Sequence, residues 1–161
     1  MDGFEIEIFA RWLHVIGACV LLGTGAGIAF FALMAHRTKN VTAIAHTMSI
    51  VVIADMIFTA TAAILQPITG IWLAALVGWP LTQGWILVSI GLYVFIGIFW
   101  LPVVWIQIKM RDLAHNALLL GTDLPSSYHL LFKIWFACGI PAFLAILVIF
   151  WLMLAQPDIT F

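Results

Sequence analysis

The chain begins a long apolar run with RWLHVIG at residues 11–17 and continues it through GTGAG at residues 23–27. About 20 apolar residues are enough for a helix to cross the roughly 30 Å hydrocarbon core of a bilayer. Arg11 and Trp12 are typical of the polar interface at which such a helix begins. His14 is therefore predicted to lie inside the membrane, where an ionisable side chain commonly has a function.

The composition indicates a membrane location for the whole chain. Of its 161 residues, 65% are hydrophobic and only 8% are charged, whereas soluble domains carry about 25% charged residues. The net charge of −1 offers no electrostatic attraction for nucleic acid. Cys19 and Cys138 lie in apolar runs and are expected to be small buried side chains rather than a disulfide. The acidic start of the chain lacks the basic segment of a cleavable signal, so the first run is expected to stay as a span.

Four spans are expected, at about residues 9–35, 41–77, 85–110 and 128–155. Each is long enough to cross a bilayer, and short connections place consecutive helices beside each other and antiparallel. The sequence therefore predicts an all-α, up-down-up-down four-helix membrane bundle that forms one domain over residues 1–161. Ser126 or Ser127 is expected to cap the last helix.

The basic residues predict the orientation of the bundle. Five of the six Lys and Arg residues lie on one side: Arg37, Lys39, Lys109, Arg111 and Lys133. Only Arg11 lies on the other side. The positive-inside rule then places both intervening loops in the cytoplasm and both termini outside. Tryptophans are expected at the two interfaces, with Trp12, Trp72, Trp79, Trp85 and Trp151 outside and Trp105 and Trp135 inside.

Polar side chains within the spans form the predicted site. His14 shares a helix face with Gly25, which leaves room for a flat macrocycle, although small residues serve helix packing equally well. Asp55 and Thr59 share a face of the second span. At a rise of about 1.5 Å per residue, Tyr93 lies at the depth of Asp55, and His14 lies about one turn farther out. A buried cluster of these four polar residues is expected, either as a structural hydrogen-bond network or as the surroundings of a ligating histidine.

Histidine is a common ligand of metal ions and of haem iron. The expected cofactor-binding residues are His14, Asp55, Tyr93, Thr59, Gly25 and Arg11. On the basic side, His46 and His129 match in depth, so the candidate metal ligands are these two histidines and His14. A solvated interfacial location is the alternative for His46 and His129. Four methionines offer soft ligands for Cu(I), or simply pack: Met34, Met48, Met110 and Met153.

The chain resembles a family of small bacterial integral membrane proteins of unknown function. The matching segments are WLHV at 12–15, LGTG at 22–25, AHR at 35–37, AD at 54–55, QPITG at 66–70, WLPVVW at 100–105 and MRDL at 110–113. That family is distantly similar to the copper-resistance D proteins, the HemJ-type protoporphyrinogen oxidases and the membrane domain of some urate oxidases. The resemblance implies a four-helix membrane unit. Together with the charge bias, it predicts a multi-pass protein of the bacterial inner membrane whose termini are periplasmic or extracellular.

The resemblance also implies a cofactor, because some of these relatives bind haem b through histidines. It assigns His14 to the histidine of the first helix and, approximately, His36 to a second one at the end of that helix. The third span has no histidine before His115. A haem held by His14 would therefore be five-coordinate or would take an unusual sixth ligand.

Three functions remain open from the sequence. The leading one is a haem b-binding protein in electron transfer, haem-linked redox chemistry or haem handling, with a redox partner; as an enzyme it would be a haem-dependent oxidoreductase. The second is a cofactor-free accessory or structural subunit of a larger membrane complex, because 14% aromatic residues and very short loops leave little exposed surface for independent chemistry. The protein could also form a homo-oligomer. The third is a copper transport or tolerance protein.

Overall fold

The computed structural model describes residues 3–160. Its elements are α1 (Gly3–Thr38), α2 (Val41–Ala54), a π-helical turn (Asp55–Thr59), α3 (Ala60–Val77), α4 (Gly84–Leu120) and α5 (Ser126–Ala155). The segment from Val41 to Val77 is one continuous span, so the described part of the chain contains four helices that are long and apolar enough to cross a membrane. The predicted all-α four-helix membrane fold is confirmed.

The helices extend beyond several of the predicted spans. α1 already begins at Gly3, and α4 continues through its amphipathic stretch to Leu120. α5 begins at Ser126 after Pro125, and no side chain caps its first turn. The expected cap by Ser126 or Ser127 is therefore wrong, since the chain enters this helix through an extended proline instead.

Left-handed residues and one side-chain cap reverse the chain between spans. Lys39 has a φ of 55°, and the Asn40 side chain accepts a hydrogen bond from the Ala43 amide at 3.0 Å, which caps the start of α2. Gly78 (φ 81°) ends α3 and Gly121 (φ 63°) ends α4. Glycine adopts this backbone conformation without a steric penalty, which suits both positions to stopping a helix.

The up-down order gives the bundle two distinct ends. The turn at 39–40 and the loop at 121–125 lie at one end, which we call the basic end. The start of α1, the turn at 78–83 and residues 156–160 lie at the other, which we call the terminal end. The residues between the two ends provide the apolar surface that a bilayer would contact.

The main hydrophobic core fills the half of the bundle near the basic end. Its most buried members are Ala32, Ile44, Ala45, Met48, Met110, Ala114 and Tyr128. Small residues on all sides let the helices approach closely, as is usual between membrane helices. Trp135 belongs to this core and is only 5% exposed. Its predicted place at the inner interface is wrong, because its indole faces the bundle interior.

A smaller core closes the terminal end. Trp85, Ile86 and Leu152 are buried there, and Trp79 and Ile159 pack against them. The residues after α5 fold back over the start of α4. A Cβ atom on Gly84 would overlap the carbonyl oxygen of Ile159, so only glycine allows this approach.

The two cores are separated by a hollow middle section. α3 packs mainly against α1, whereas α2 and α5 both pack against α4, and α3 itself makes little direct contact with α4. This divergence within the second span occurs at the π-helical turn. There the Ala60 amide donates to the Asp55 carbonyl, which adds one residue to the turn.

Candidate functional site

A cavity of about 740 Å³ lies in the middle of the bundle, between the two cores. This volume is typical of small-molecule binding sites. All four spans line it, largely with apolar side chains. Its polar or hydrogen-bonding side chains come from Asp55, Thr59, Gln66, Tyr93, Trp100, Gln107 and Trp135. None of the described residues that line it is Lys, Arg or His.

A group of four side chains forms the floor of the cavity toward the basic end. Asp55 is 3% exposed and Gln107 is 2% exposed. The Trp100 indole N–H donates to Asp55 Oδ1 at 3.4 Å. The Gln107 amide satisfies both of its neighbours when its nitrogen donates to Asp55 Oδ2 at 3.1 Å and its oxygen accepts from Trp135 Nε1 at 3.0 Å. We call these four residues the Asp55 group.

The helices position this group for identifiable reasons. Asp55 opens the π-helical turn, and Thr59 follows on the same turn and also lines the cavity. Trp100 and Gln107 are seven residues apart on α4, so they share one face of that helix. A carboxylate in the membrane interior is costly, and two N–H donors from α4 reduce that cost by hydrogen bonding.

His14 lies outside the cavity and belongs to a different contact. Its Nδ1 is 3.0 Å from Thr69 Oγ1, and its Nε2 is 3.4 Å from Gln66 Nε2. Its ring lies so close to Gly70 that a Cβ there would be 3.0 Å from His14 Cε1. In the same way, a Cβ on Gly17 would lie 2.5 Å from Gln66 Oε1. His14 therefore connects α1 to α3. The His14 ring fills the space beside Gly70, and the Gln66 side chain fills the space beside Gly17.

The predicted single cluster of His14, Asp55, Thr59 and Tyr93 is not formed. Because the 39–40 turn is so short, Thr69 lies opposite His14, and Asp55 is fourteen residues away along the second span. At 1.5 Å per residue this separation is about 21 Å, rather than the expected single turn. Asp55, Thr59 and Tyr93 do line one cavity, but His14 does not.

The other predicted cofactor residues fall in two places. Tyr93 lies toward the terminal end of the cavity, where its hydroxyl donates to the Ala63 carbonyl and connects α4 with α3. Gly25 lines the cavity, as expected for a face with little side chain. Arg11 instead forms an exposed ion pair with Glu7 at 2.6 Å on its own helix. It does not line the cavity.

The histidines near the basic end form a different pair from the predicted one. His129 has its ring centroid 5.6 Å from that of His36, whereas His46 is exposed. The contact that the structure shows is between His36, at the end of α1, and His129, and the predicted pairing of His46 with His129 stays a prediction. His115 instead connects α4 to α2, with its Nε2 2.7 Å from Ser49 Oγ. Among residues 3–160, no three His, Cys, Asp or Glu side chains group as metal ligands.

Sequence reasoning missed the partners that matter most for both polar sites. Gln107 and Trp135 complete the surroundings of Asp55, and Gln66 and Thr69 are the partners of His14. A signal for Gln107 was present, since it shares a helical stripe with Tyr93 and Trp100. Trp135 carried no such signal, because a tryptophan near a span end is more typical of the membrane interface.

Comparisons with known proteins identify a family. A search of curated proteins and a search of solved structures each found no significant match. The distant similarity to copper-resistance D and HemJ-type proteins gains no support from these comparisons. A family model described as "Predicted integral membrane protein (DUF2269)" matches residues 8–157, nearly the whole of the hollow bundle. The chain therefore belongs to this family of integral membrane proteins.

Proposed function

We propose that the protein binds a lipophilic small molecule in the central cavity, and that the molecule presents a positive charge or a hydrogen-bond donor to Asp55. One observation carries this proposal. The cavity is apolar apart from a few polar side chains, and its only charged side chain among the described residues is the Asp55 carboxylate. Such a site favours cationic or neutral ligands over anionic ones.

The chemistry of the Asp55 group supports a ligand of this kind. A carboxylate has about four lone-pair positions, and Asp55 accepts from Trp100 and Gln107, so it retains capacity for a ligand donor. The aromatic rings that line the cavity, including Trp100, Trp135 and Phe136, attract cations through their π faces. A lipophilic amine meets both conditions.

We further infer that the ligand reaches the cavity from the bilayer, between α3 and α4. These two helices make little direct contact, and the Tyr93 hydroxyl is hydrogen-bonded to the Ala63 carbonyl across the interval between them. Ile64, Ile98 and Leu101 nearby are all more than 60% exposed. A molecule dissolved in the hydrocarbon would meet an apolar approach on this side.

Haem b fits the described residues poorly. No histidine among the described residues lines the cavity, and the propionates of haem would lie in a cavity whose charged group is a carboxylate. Both ring nitrogens of His14 face α3 side chains, and Gly70 packs against the ring. These residues leave no room for a macrocycle beside His14 as they stand, so haem binding stays a prediction that we do not carry into the proposal.

The two alternatives from the sequence also stay predictions. Met48 and Met110 are almost fully buried members of the main core, so they already serve as packing residues. A role in a larger complex requires a surface for the partner. The side of α1 that carries Gly23 and Gly27 is uncovered, since a Cβ atom on either glycine would meet no other atom within 4 Å. Neither observation favours these functions over ligand binding.

We propose a location in a bacterial inner membrane with both termini outside. Lys39, Arg37 and the other cations of the basic end support this orientation through the positive-inside rule. Cysteine labelling tests it in a variant whose Cys19 and Cys138 are replaced by alanine: a single cysteine introduced at exposed Asn116 should be protected from a membrane-impermeant maleimide in intact cells. A cysteine introduced at Asp158 should react.

The ligand proposal is tested with two ions of matched shape and opposite charge. Tetraphenylphosphonium is a lipophilic cation, and tetraphenylborate is the corresponding anion. Equilibrium dialysis of the purified protein in a neutral detergent should show saturable binding of the cation, about tenfold or more tighter than binding of the anion. This ratio corresponds to an electrostatic preference of about 1.4 kcal/mol.

Variants then locate the binding. Asp55→Asn should remove most of the preference for the cation, because the amide keeps the size but not the charge. Asp158→Asn makes the same chemical change at an exposed position outside the cavity and should leave both affinities unchanged. Equal binding of the two ions by the unmodified protein, or an unchanged preference in Asp55→Asn, would overturn the proposal.

A further inference from the structure

A second pocket opens at the basic end, apart from the central cavity. It has a volume of about 570 Å³ and lies between the 39–40 turn and the loop that precedes α5. Its walls carry four basic side chains, from His36, Arg37, Lys39 and His129. Asp123 is the single carboxylate among the described residues that line it.

The cations of this pocket are available to a ligand. Arg37 and Lys39 are exposed, and neither is within ion-pair distance of a carboxylate of residues 3–160. Arg111 lies at the same end of the bundle but differs, because its guanidinium forms an ion pair with the Asp112 carboxylate at 2.8 Å. Arg37 and Lys39 together outweigh Asp123, so the pocket is electropositive even with both histidines neutral.

The histidines of the pocket pack against each other and against an aromatic ring of α5. The His36 ring stacks on Phe132, with a centroid distance of 3.8 Å and an interplanar angle of 5°. The His129 ring packs edge-on against the His36 ring, with a centroid distance of 5.6 Å and an interplanar angle of 73°. Buried His36 Nδ1 has no hydrogen-bond partner in the part of the chain that the structure describes. A polar atom buried without a partner is unusual.

The start of α5 adds to the positive potential. His129 lies in the first turn of this helix, and no side chain caps that turn. The first amides of an α-helix have no partner within the helix and carry the positive end of its dipole. They add to the positive potential of the basic end, whereas the pocket itself is defined by the side chains that line it.

We propose that this pocket binds an anionic phosphate group, from the headgroup of an anionic lipid or from free phosphate. Arg and Lys are the usual side chains for phosphate recognition. Basic pockets between membrane helices on one side of the bilayer are suited to anionic lipid headgroups. This site does not depend on the central cavity or on what the cavity binds.

Two measurements distinguish the source of the phosphate. In the first, the protein is placed in nanodiscs of phosphatidylglycerol and phosphatidylcholine, and the lipids that remain bound on release are counted by native mass spectrometry. In the second, inorganic phosphate is titrated by calorimetry into the protein in a neutral detergent. Retention of phosphatidylglycerol identifies the lipid source, and saturable heat from phosphate identifies the aqueous one.

Matched variants decide whether the pocket is responsible. Lys39→Gln and Arg37→Gln should each weaken binding about fivefold, as expected for one cation near the membrane surface. Lys133→Gln removes the same charge from an exposed position of α5 that does not line the pocket, and it should leave binding unchanged. Helical circular dichroism checks that each variant is folded.

Either source, with this pattern of variants, supports the proposal. The proposal is overturned if the protein retains neither probe. It is also overturned if Lys133→Gln loses as much binding as Lys39→Gln, because the attraction would then come from the general charge of the basic end.

Discussion

The carboxylate of Asp55 and the amide of Gln107 meet across the middle of the bundle, 3.1 Å apart in the amide orientation that satisfies both neighbours. This contact joins the π-helical turn of the second span to α4. Through the Gln107 oxygen it also reaches Trp135 on α5. Three of the four spans are therefore connected by one buried acid and its donors, at the floor of the central cavity.

Replacing Gln107 should weaken this connection. Gln107→Leu leaves the Trp135 N–H without its acceptor and removes one donor from Asp55. Each buried polar group that loses its partner costs about 1–3 kcal/mol. We expect a lower free energy of unfolding in detergent, and a coupling of at least about 0.5 kcal/mol in a double-mutant cycle with Asp55→Ala. A coupling of zero would contradict the contact.

Filling the cavity should weaken ligand binding without harming the fold. Gly97 lines the cavity, and a side chain there would meet no atom within 4 Å of its Cβ. Gly97→Leu is expected to reduce tetraphenylphosphonium binding about tenfold or more, because leucine occupies the ligand's space while Asp55 stays intact.

Gly91→Leu is the matched control for this change. Gly91 also has open space around its Cβ, but it is exposed and does not line the cavity. Tetraphenylphosphonium affinity should be unaffected in this variant. Equal losses in the two variants would indicate that binding depends on the flexibility of α4 rather than on the cavity.

Adding one methyl group to α1 should change the free energy of unfolding differently at the contact with α3 and away from it. Replacing a helical glycine by alanine normally stabilises a helix by about 0.5–1 kcal/mol. Gly23→Ala meets no neighbour and should show this gain, whereas Gly17→Ala would place its Cβ 2.5 Å from Gln66 Oε1. We expect Gly17→Ala to lose the gain, because Gln66 must move away from His14. Comparison of the two free energies of unfolding measures the difference, and equal gains would contradict the packing.

The absorption spectrum of haem-supplied protein tests the cofactor suggested by the resemblance. Because Thr69 and Gln66 occupy both ring nitrogens of His14, we expect no Soret band that depends on this histidine. The comparison is between the unmodified protein and His14→Ala, each expressed with added haem. A band that His14→Ala abolishes and Asp55→Asn retains would restore the haem hypothesis.

The spans were predictable because hydrophobic length and charge bias are properties of the sequence alone. The depth of each polar residue was not, since it depends on where the first turn lies and how far the helices continue. Placing His14 one turn from Asp55 ignored that Lys39 and Asn40 make the entire first connection. Thr69 is the partner of His14, and Gln107 is the partner of Asp55. These pairs depend on how neighbouring helices are rotated relative to each other, which the sequence of one helix does not determine.

The cavity itself also lay beyond sequence reasoning. Apolar residues that line an internal space have the same composition as residues that face lipid. Gly97 and Gly139 line the cavity, and Gly91 faces outward on the same helix as Gly97, yet nothing in the local sequence separates them. The polar stripe of Tyr93, Trp100 and Gln107 was the one available sign of an interior face.

The π-helical turn has a consequence for how the second span presents its two halves. An α-helix rotates by about 100° per residue, and the extra residue at 55–59 changes the phase of α3 relative to α2 by one such step. Deleting one residue from this turn would restore an ordinary helix and turn Thr69 away from His14 while Asp55 kept its place. The turn thus lets the two halves of one span pack in different directions, with α2 against α4 and α3 against α1.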